Sequence, residues 1–302
     1  MGHILTEINR RFNAGSILAK YIYINVGIFI VIRLTIVIMR LFIKDTSFLE
    51  YIQMPSSWSL LAHRPWTAFT YMFVHFDFLH ILFNMLWLYW FGKIFLMFFS
   101  GRQLGGLYVM GGIAGGLLFV ISYRIFPFLR QFSENSFLIG ASASIMAIVF
   151  AVSFYQKNYT INLLLLGRVK LIYLALGVFL LDIIAITSEN TGGHIAHIGG
   201  SLLGIFFASQ YRKGRDMTGF MNRIIDKFVN LITHRPSFKV YRRETDHTRN
   251  RKNRWTETDD EYRRRKNEEN RAIDAILDKL KRSGYGSLSV EEKRKLFDAS
   301  RQ

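Results

Sequence analysis

Six apolar stretches, near residues 20–43, 78–99, 103–126, 137–156, 169–188 and 193–211, constrain this chain more than any other feature. Each has close to the length an α-helix needs to cross ~30 Å of hydrocarbon. The expected fold is all-α: a polytopic membrane protein, with six transmembrane helices in a bundle and a basic tail. Half of the 302 residues are hydrophobic, yet mean hydropathy is only +0.17, because the charged 20% collects outside the stretches. The first stretch is too long for a cleaved signal peptide and lacks a small-residue cleavage site. With no cysteine in the chain, disulfides, thiolate metal sites and a cysteine nucleophile are excluded.

Charge supplies the orientation. The net charge of +17 and pI near 10.1 come mostly from the region after residue 211. A basic tail following a membrane bundle reads as a cytoplasmic anchor, and no nucleic-acid partner is expected. Arg10, Arg11 and Lys20 precede the first stretch; Arg102 lies between the second and third; Lys157, Arg168 and Lys170 lie between the fourth and fifth. Residues 189–193 carry no Lys or Arg, and 127–136 carry only Arg130. Both termini are therefore expected in the cytoplasm. The connection 44–75, with Trp58, Trp66 and Tyr71, is expected at the outer interface.

On that topology stretches two, four and six run from outside to inside, and each begins with polar groups. His80 and Asn84 lie near the start of the second, Ser142 near the start of the fourth, His197 near the start of the sixth. Four or five residues at 1.5 Å rise put each roughly 6–8 Å below the outer surface. A lone intramembrane serine reads as a helix-packing hydroxyl, and His80 with Asn84 reads equally as glue between helices. Ionisable residues in spans are costly and tend to mark function. Gly200 and Gly204 share a face with His197, and Ala143, Ala147 and Ala151 line a face of the fourth stretch, so the two helices can approach closely. Ser142 as nucleophile, His197 as base and His80, Asn84 and nearby backbone amides as oxyanion donors describe a hydrolase inside the bilayer.

Other chemistries fit less well. The nucleophile elbow G-x-S-x-G fails because Ser144 stands at its last position and no strand pattern precedes it. His194 and His197 lack the glutamate of a zinc-protease helix, so neither metal nor cofactor is expected. A transporter or channel calls for charged groups near mid-bilayer, and only Arg33 and Asp182 answer to that.

Three segments together resemble the rhomboid intramembrane serine proteases: His75 to Asn84, Gly140-Ala141-Ser142-Ala143, and Ala196-His197-Ile198-Gly199-Gly200 through Gly204. The resemblance covers residues 20–211 and implies a rhomboid-like bundle acting as a serine-type endopeptidase. It implies a Ser142–His197 dyad with no aspartate, and an oxyanion site of His80, Asn84 and amides near Ala141 and Ser142. Gly140, Gly200 and Gly204 pack beside them. The implied substrates are transmembrane proteins, cut in or near the bilayer after a small residue. A bacterial inner membrane is the expected location. The alternative is a catalytically silent relative that binds transmembrane helices for quality control or trafficking. Thr67 after Trp66 replaces a frequent arginine, Leu96 and Ser100 replace a glutamate and a glycine, Ala143 replaces a glycine, and Met146 replaces a tyrosine that stacks on the histidine.

The remaining organisation is expected as a cytoplasmic N-terminus over 1–19, the membrane domain over 20–211, a basic disordered linker over 212–268 and a helical hairpin over 269–302. In the hairpin Ala272, Ile273, Ala275, Ile276 and Leu280 make an apolar face, and Ser289 with Glu292 fits a capping box. It resembles the terminal hairpin of some bacterial rhomboid homologues and is a candidate dock for a cytoplasmic partner.

Overall fold

The computed structural model describes residues 15–42, 47–163, 167–187, 190–233 and 259–299. The expected N-terminal segment falls largely outside them, as do residues 234–258 of the expected linker. The chain divides into two units, residues 1–235 and 236–302.

Helix α1 (Ile17–Phe42) buries Leu18, Tyr21, Asn25, Ile32 and Ile36, spaced to form one stripe. Its other face exposes Ile30, Val31, Leu34 and Leu41, as lipid contact requires. Arg33 on this helix donates to the Phe76 carbonyl at 3.1 Å, a partner that the sequence did not disclose.

The following connection is woven into the bundle instead of lying along the interface throughout. Strand β1 (Met54–Pro55) is followed by helices α2 (Trp58–His63) and α3 (Thr67–Thr70). Met54, Tyr71, Met72 and His75 are all buried. Backbone dipoles at this depth need partners, and tyrosines supply them: Tyr71 donates to Gly112 O at 2.6 Å and Tyr108 to Met72 O at 3.0 Å. Trp58 and Trp66 stay exposed, as interfacial residues do. Arg64 sits 4.1 Å above the Tyr51 ring and donates to Glu50 O at 3.1 Å. Thr67 is buried, its hydroxyl on Arg64 O at 2.6 Å, so Arg64 ties down the loop where arginine is missing at position 67.

Helices α4 (Phe78–Leu96) and α5 (Gly101–Ile125) are, with α1, long and apolar enough to cross a membrane. Against the six spans expected from the sequence, only these three among the described residues meet the criterion on length and composition. Ser100 and Gln103 close a reciprocal capping box at the start of α5, at 2.8 and 3.2 Å. After the short α6 (Pro127–Arg130), strand β2 (Phe137–Leu138) pairs antiparallel with β1, Met54 facing Leu138 and Pro55 facing Phe137.

The apolar run 137–156 is consequently not one helix. It is a strand, a break at Gly140, and then α7 (Ser142–Tyr155), whose 14 residues reach about 21 Å at 1.5 Å per residue. A hairpin of β3 (Thr160–Leu163) and β4 (Gly167–Lys170) leads into α8 (Leu171–Ile184), equally short. Helix α9 (Thr191–Arg212) has the length to cross, but its glycines and histidines make it less apolar.

Helices α5, α7 and α9 interlock through small residues. A Cβ placed on Gly115 would lie 2.6 Å from both Ala143 Cβ and Ala196 O, and one on Gly199 2.8 Å from Ala114 O. On Gly200 and Gly204 it would overlap the carbonyls of Ala143 and Ala147. Backbones this close gain dispersion contacts that larger residues would block.

Part of the stretch expected as a disordered linker, Thr218–Thr233, is helical. Helix α10 (Thr218–Thr233) packs Met221 and Ile225 against the bundle, because its apolar residues recur at helical spacing. Asp216 accepts from Thr218 N at 2.8 Å and from Gln103 Nε2 at 3.1 Å, which ties this helix to the start of α5. In the second unit, α11 (Asp259–Ser283) starts before the expected hairpin boundary at 269. It turns at Gly284 into α12 (Val290–Ala299), and Ser289 N meets Glu292 Oε2 at 2.6 Å.

Candidate active site

Ser142 is the first residue of α7, delivered there by the extended segment after β2. Gly140 has φ +107°, a conformation that side chains with a Cβ rarely adopt, and it turns the chain abruptly from strand into helix. The intrahelical ladder begins only at Ile145 N to Ala141 O, so the amides of the first turn have no partner within the helix. Unpaired amides and the positive end of a helix at a serine are the surroundings an oxyanion needs. The depth argument from counting turns therefore does not apply to Ser142, which a break in the helix positions.

His80 and Asn84 lie on the first turns of α4. The Cβ that Gly140 lacks would sit 2.8 Å from His80 Nε2 and 3.9 Å from Ser142 Oγ, so the absent side chain leaves the imidazole beside the hydroxyl. Asn84 spends one amide proton on His80 O at 2.9 Å. The Ala141 N–H is directed at His75 Nε2 at 3.4 Å. His75 is fully buried, edge-on to His80 with ring centroids 5.0 Å apart. It thus props both the Gly140–Ala141 turn and the His80 ring. Burial, reinforced by the neighbouring His80, pushes the His75 pKa down to about 4, with the Phe73 backbone opposing weakly.

His197, on the second turn of α9, offers Nδ1 to Asp182 Oδ1 at 2.9 Å, and His194 offers Nδ1 to the same oxygen at 2.8 Å. The resemblance implies a pair without aspartate; the structure brings a carboxylate to the histidine. Asp182 is two residues from the end of α8, not midway through a span, and the short connection to α9 folds it back onto the next helix. The sequence reading places Asp182 near mid-bilayer because it runs this helix on to residue 188, past its end at Ile184. The available signal was an acid just before a tight connection and two histidines just after it.

Ser142, His197, His80 and Asn84 line one cavity of about 540 Å³, joined by Asp77, Met146, Trp87 and Gly193. The Ser142 hydroxyl and the His197 ring make no direct hydrogen bond among the described residues. Gly200 and Gly204 form the contact of α9 with α7 behind them. Asp182, His194 and His197 hold ligand-type atoms within 4.8 Å of one another. Their spacing is that of two hydrogen bonds on one carboxylate oxygen.

Two family models match separate parts of the chain. The Rhomboid domain family matches residues 62–213, from α2 to the end of α9. Residues 256–302 match a family of unknown function (DUF6576). A curated relative, RHOMBOID-like protein 12, mitochondrial, of Arabidopsis thaliana, is 29% identical over 160 residues, 49% of this chain and 47% of that protein. The chain thus spans about half the length of that relative. The apolar helices make this an integral membrane protein, and with half of its length matched by one domain family, the chain belongs to the rhomboid family.

Proposed function

We propose that the protein is an intramembrane serine endopeptidase that hydrolyses peptide bonds in or near the transmembrane segments of other membrane proteins. The observation that carries this reading is the convergence of Ser142, His197, His80 and Asn84 on one cavity from three separate helices. In the reaction Ser142 Oγ attacks the scissile carbonyl while His197 takes its proton on Nε2. The amides of the first turn of α7, with His80 and the free N–H of Asn84, stabilise the oxyanion. His197 then returns the proton to the departing amine, leaving an acyl-serine that water hydrolyses by the same base. No cofactor enters these steps.

The topology that accompanies this reading has α1, α4, α5, α7, α8 and α9 as the six spans, with both termini on the positively charged side. Helices α7 and α8 are short for a full bilayer, so the serine lies below the surface at the floor of a wet depression.

A silent relative that only binds transmembrane helices is the second reading, favoured by the missing direct contact between hydroxyl and imidazole. Catalytic hydrogen bonds often tighten only when substrate is bound. The purified protein in detergent should cleave a reporter transmembrane segment with a small-residue site, and Ser142 should be labelled by a fluorophosphonate probe. Ser142→Ala should abolish both while leaving thermal unfolding unchanged. Cleavage by Ser142→Ala at the wild-type rate would end this reading, and a folded wild type that neither cleaves nor labels would leave the silent one.

A further inference from the structure

We infer that Asp182 is the positioning residue of His197, which would turn the expected serine–histidine pair into a serine–histidine–aspartate line, with His194 as a second donor holding the carboxylate in place. This rests on the proteolytic reading above and adds a residue to it.

Burial is the first argument. Leu181, Ile183 and Ile184 around Asp182 are 64%, 45% and 67% exposed and face outward, whereas Asp182 is only 4% exposed and turned inward. A carboxylate in such a helix is costly, and more so near the helix C-terminus, where the dipole is negative. Leucine at this position would pack without that cost. Two donors meet Oδ1, while Oδ2 is buried with no hydrogen-bond partner, so the group is not placed there to saturate itself.

Tautomer chemistry is the second. An ionised carboxylate only accepts, so the ring nitrogen facing it must donate. With its proton on Nδ1, His197 presents an unprotonated Nε2, the form required to receive the proton of Ser142. His194, one turn earlier on α9, meets the same oxygen with its ring nearly perpendicular to that of His197 at 85°. Asp182 is thereby held from two directions and the His197 ring cannot swing freely.

The third argument is replacement. Met146 lines the cavity where the resemblance leads one to expect an aromatic ring stacked on the histidine. A flexible thioether orients an imidazole poorly. A carboxylate on Nδ1 orients it by hydrogen bonding instead, from α8 rather than α7.

The test is the nearly isosteric Asp182→Asn in detergent-purified full-length protein, measured by reporter cleavage and by the rate of fluorophosphonate labelling of Ser142. Expected is a fall in kcat and in labelling rate of about 10²-fold or more, with KM within about twofold. Asp182→Glu, which keeps the charge, should recover part of the loss, and His194→Ala should cost less than Asp182→Asn. Nitrogen NMR of labelled histidine should show His197 protonated on Nδ1 in the inactive Ser142→Ala protein and the signal displaced when Asp182→Asn is added. An active wild type matched by an equally active Asp182→Asn overturns the assignment and leaves the proteolytic reading intact. Parallel losses in folding, KM and kcat, with no rescue by glutamate, also overturn it, because they describe a structural group. Loss of activity in EDTA with recovery on adding zinc overturns it too, by making the three residues metal ligands. A wild type that never cleaves or labels defeats the proteolytic reading instead, and the NMR result then decides the hydrogen bond alone.

Discussion

Helices α7 and α8 have the same length and opposite surroundings. Eleven of the 14 residues of α7 are buried, from Ala143 to Ser153 without interruption. Of the 14 in α8 only Leu171, Ala175 and Asp182 are buried. Both carry a polar group at one end, Ser142 on the first residue of α7 and Asp182 in the last turn of α8. Ser142 thus heads a helix fixed by packing on every side. The carboxylate sits on a helix held by a few contacts and by its own hydrogen bonds to α9. Rigidity of the first kind comes from close-packed backbones and tolerates no added atoms. Rigidity of the second kind comes from specific polar groups and tolerates changes everywhere else.

The largest effect should come from breaking the packed side. Gly200→Val places its side chain on the Ala143 carbonyl, and the backbones of α7 and α9 cannot part without opening the interlock. A cost at the upper end of ~1–3 kcal/mol is expected, with loss of cleavage because His197, three residues earlier, moves with the helix. Thermal unfolding in detergent and reporter cleavage measure both. Next comes Gly140→Ala. The added Cβ meets His80 Nε2 at 2.8 Å, and the left-handed backbone alone costs about 1–2 kcal/mol. Cleavage should fall at least tenfold with smaller loss of stability, since the strain falls on the turn that presents Ser142.

The same contrast explains what was legible in the sequence. Small residues at helical spacing, Ala143 and Ala147 against Gly200 and Gly204, announce a close approach, because only they permit it, and the structure has that contact. Apolar length located α1, α4 and α5. Hidden were features made by partners distant in the chain. Pairing of β2 with β1 cuts the fourth stretch short at Gly140, and nothing local in Phe137-Leu138-Ile139 distinguishes a strand from a helix start. In the sequence Asp182 and Arg33 read only as charges near mid-bilayer, because their partners, two histidines on the next helix and the Phe76 carbonyl, appear only once the chain folds back. His75 read as an interfacial residue and proved to be buried behind His80.

His75 gives a pH-dependent test of the packed side. Its folded pKa of about 4 lies below the ordinary value of 6.5, so folding favours the neutral ring. Its contribution is therefore fully present above pH 6.5 and is lost as pH falls from there through about 4. Over that window the wild type should lose up to about 3 kcal/mol, and His75→Gln should show a flatter profile, read by thermal unfolding at each pH. Equal slopes in the two proteins would mean that the buried ring does not govern the acid limb.

The smallest effect should come from α8, and it is the sharpest control. A Cβ on Gly177 would meet nothing within 4 Å, and the residue is exposed in the middle of the helix. Gly177→Ala replaces a flexible residue by a good helix former, so stability should rise by roughly 0.5–1 kcal/mol or stay unchanged. Set beside Gly200→Val, it asks the same question of the other helix: does one more side chain disturb the site? On α8 it should not, and kcat should stay within about twofold, because Asp182 is held by His194 and His197 and not by the outer face of its helix. A large fall in kcat from Gly177→Ala with stability preserved would mean that the conformational freedom of α8 itself is needed for turnover. The division between a packed serine helix and a hydrogen-bonded carboxylate helix would then have to be replaced by one in which α8 moves.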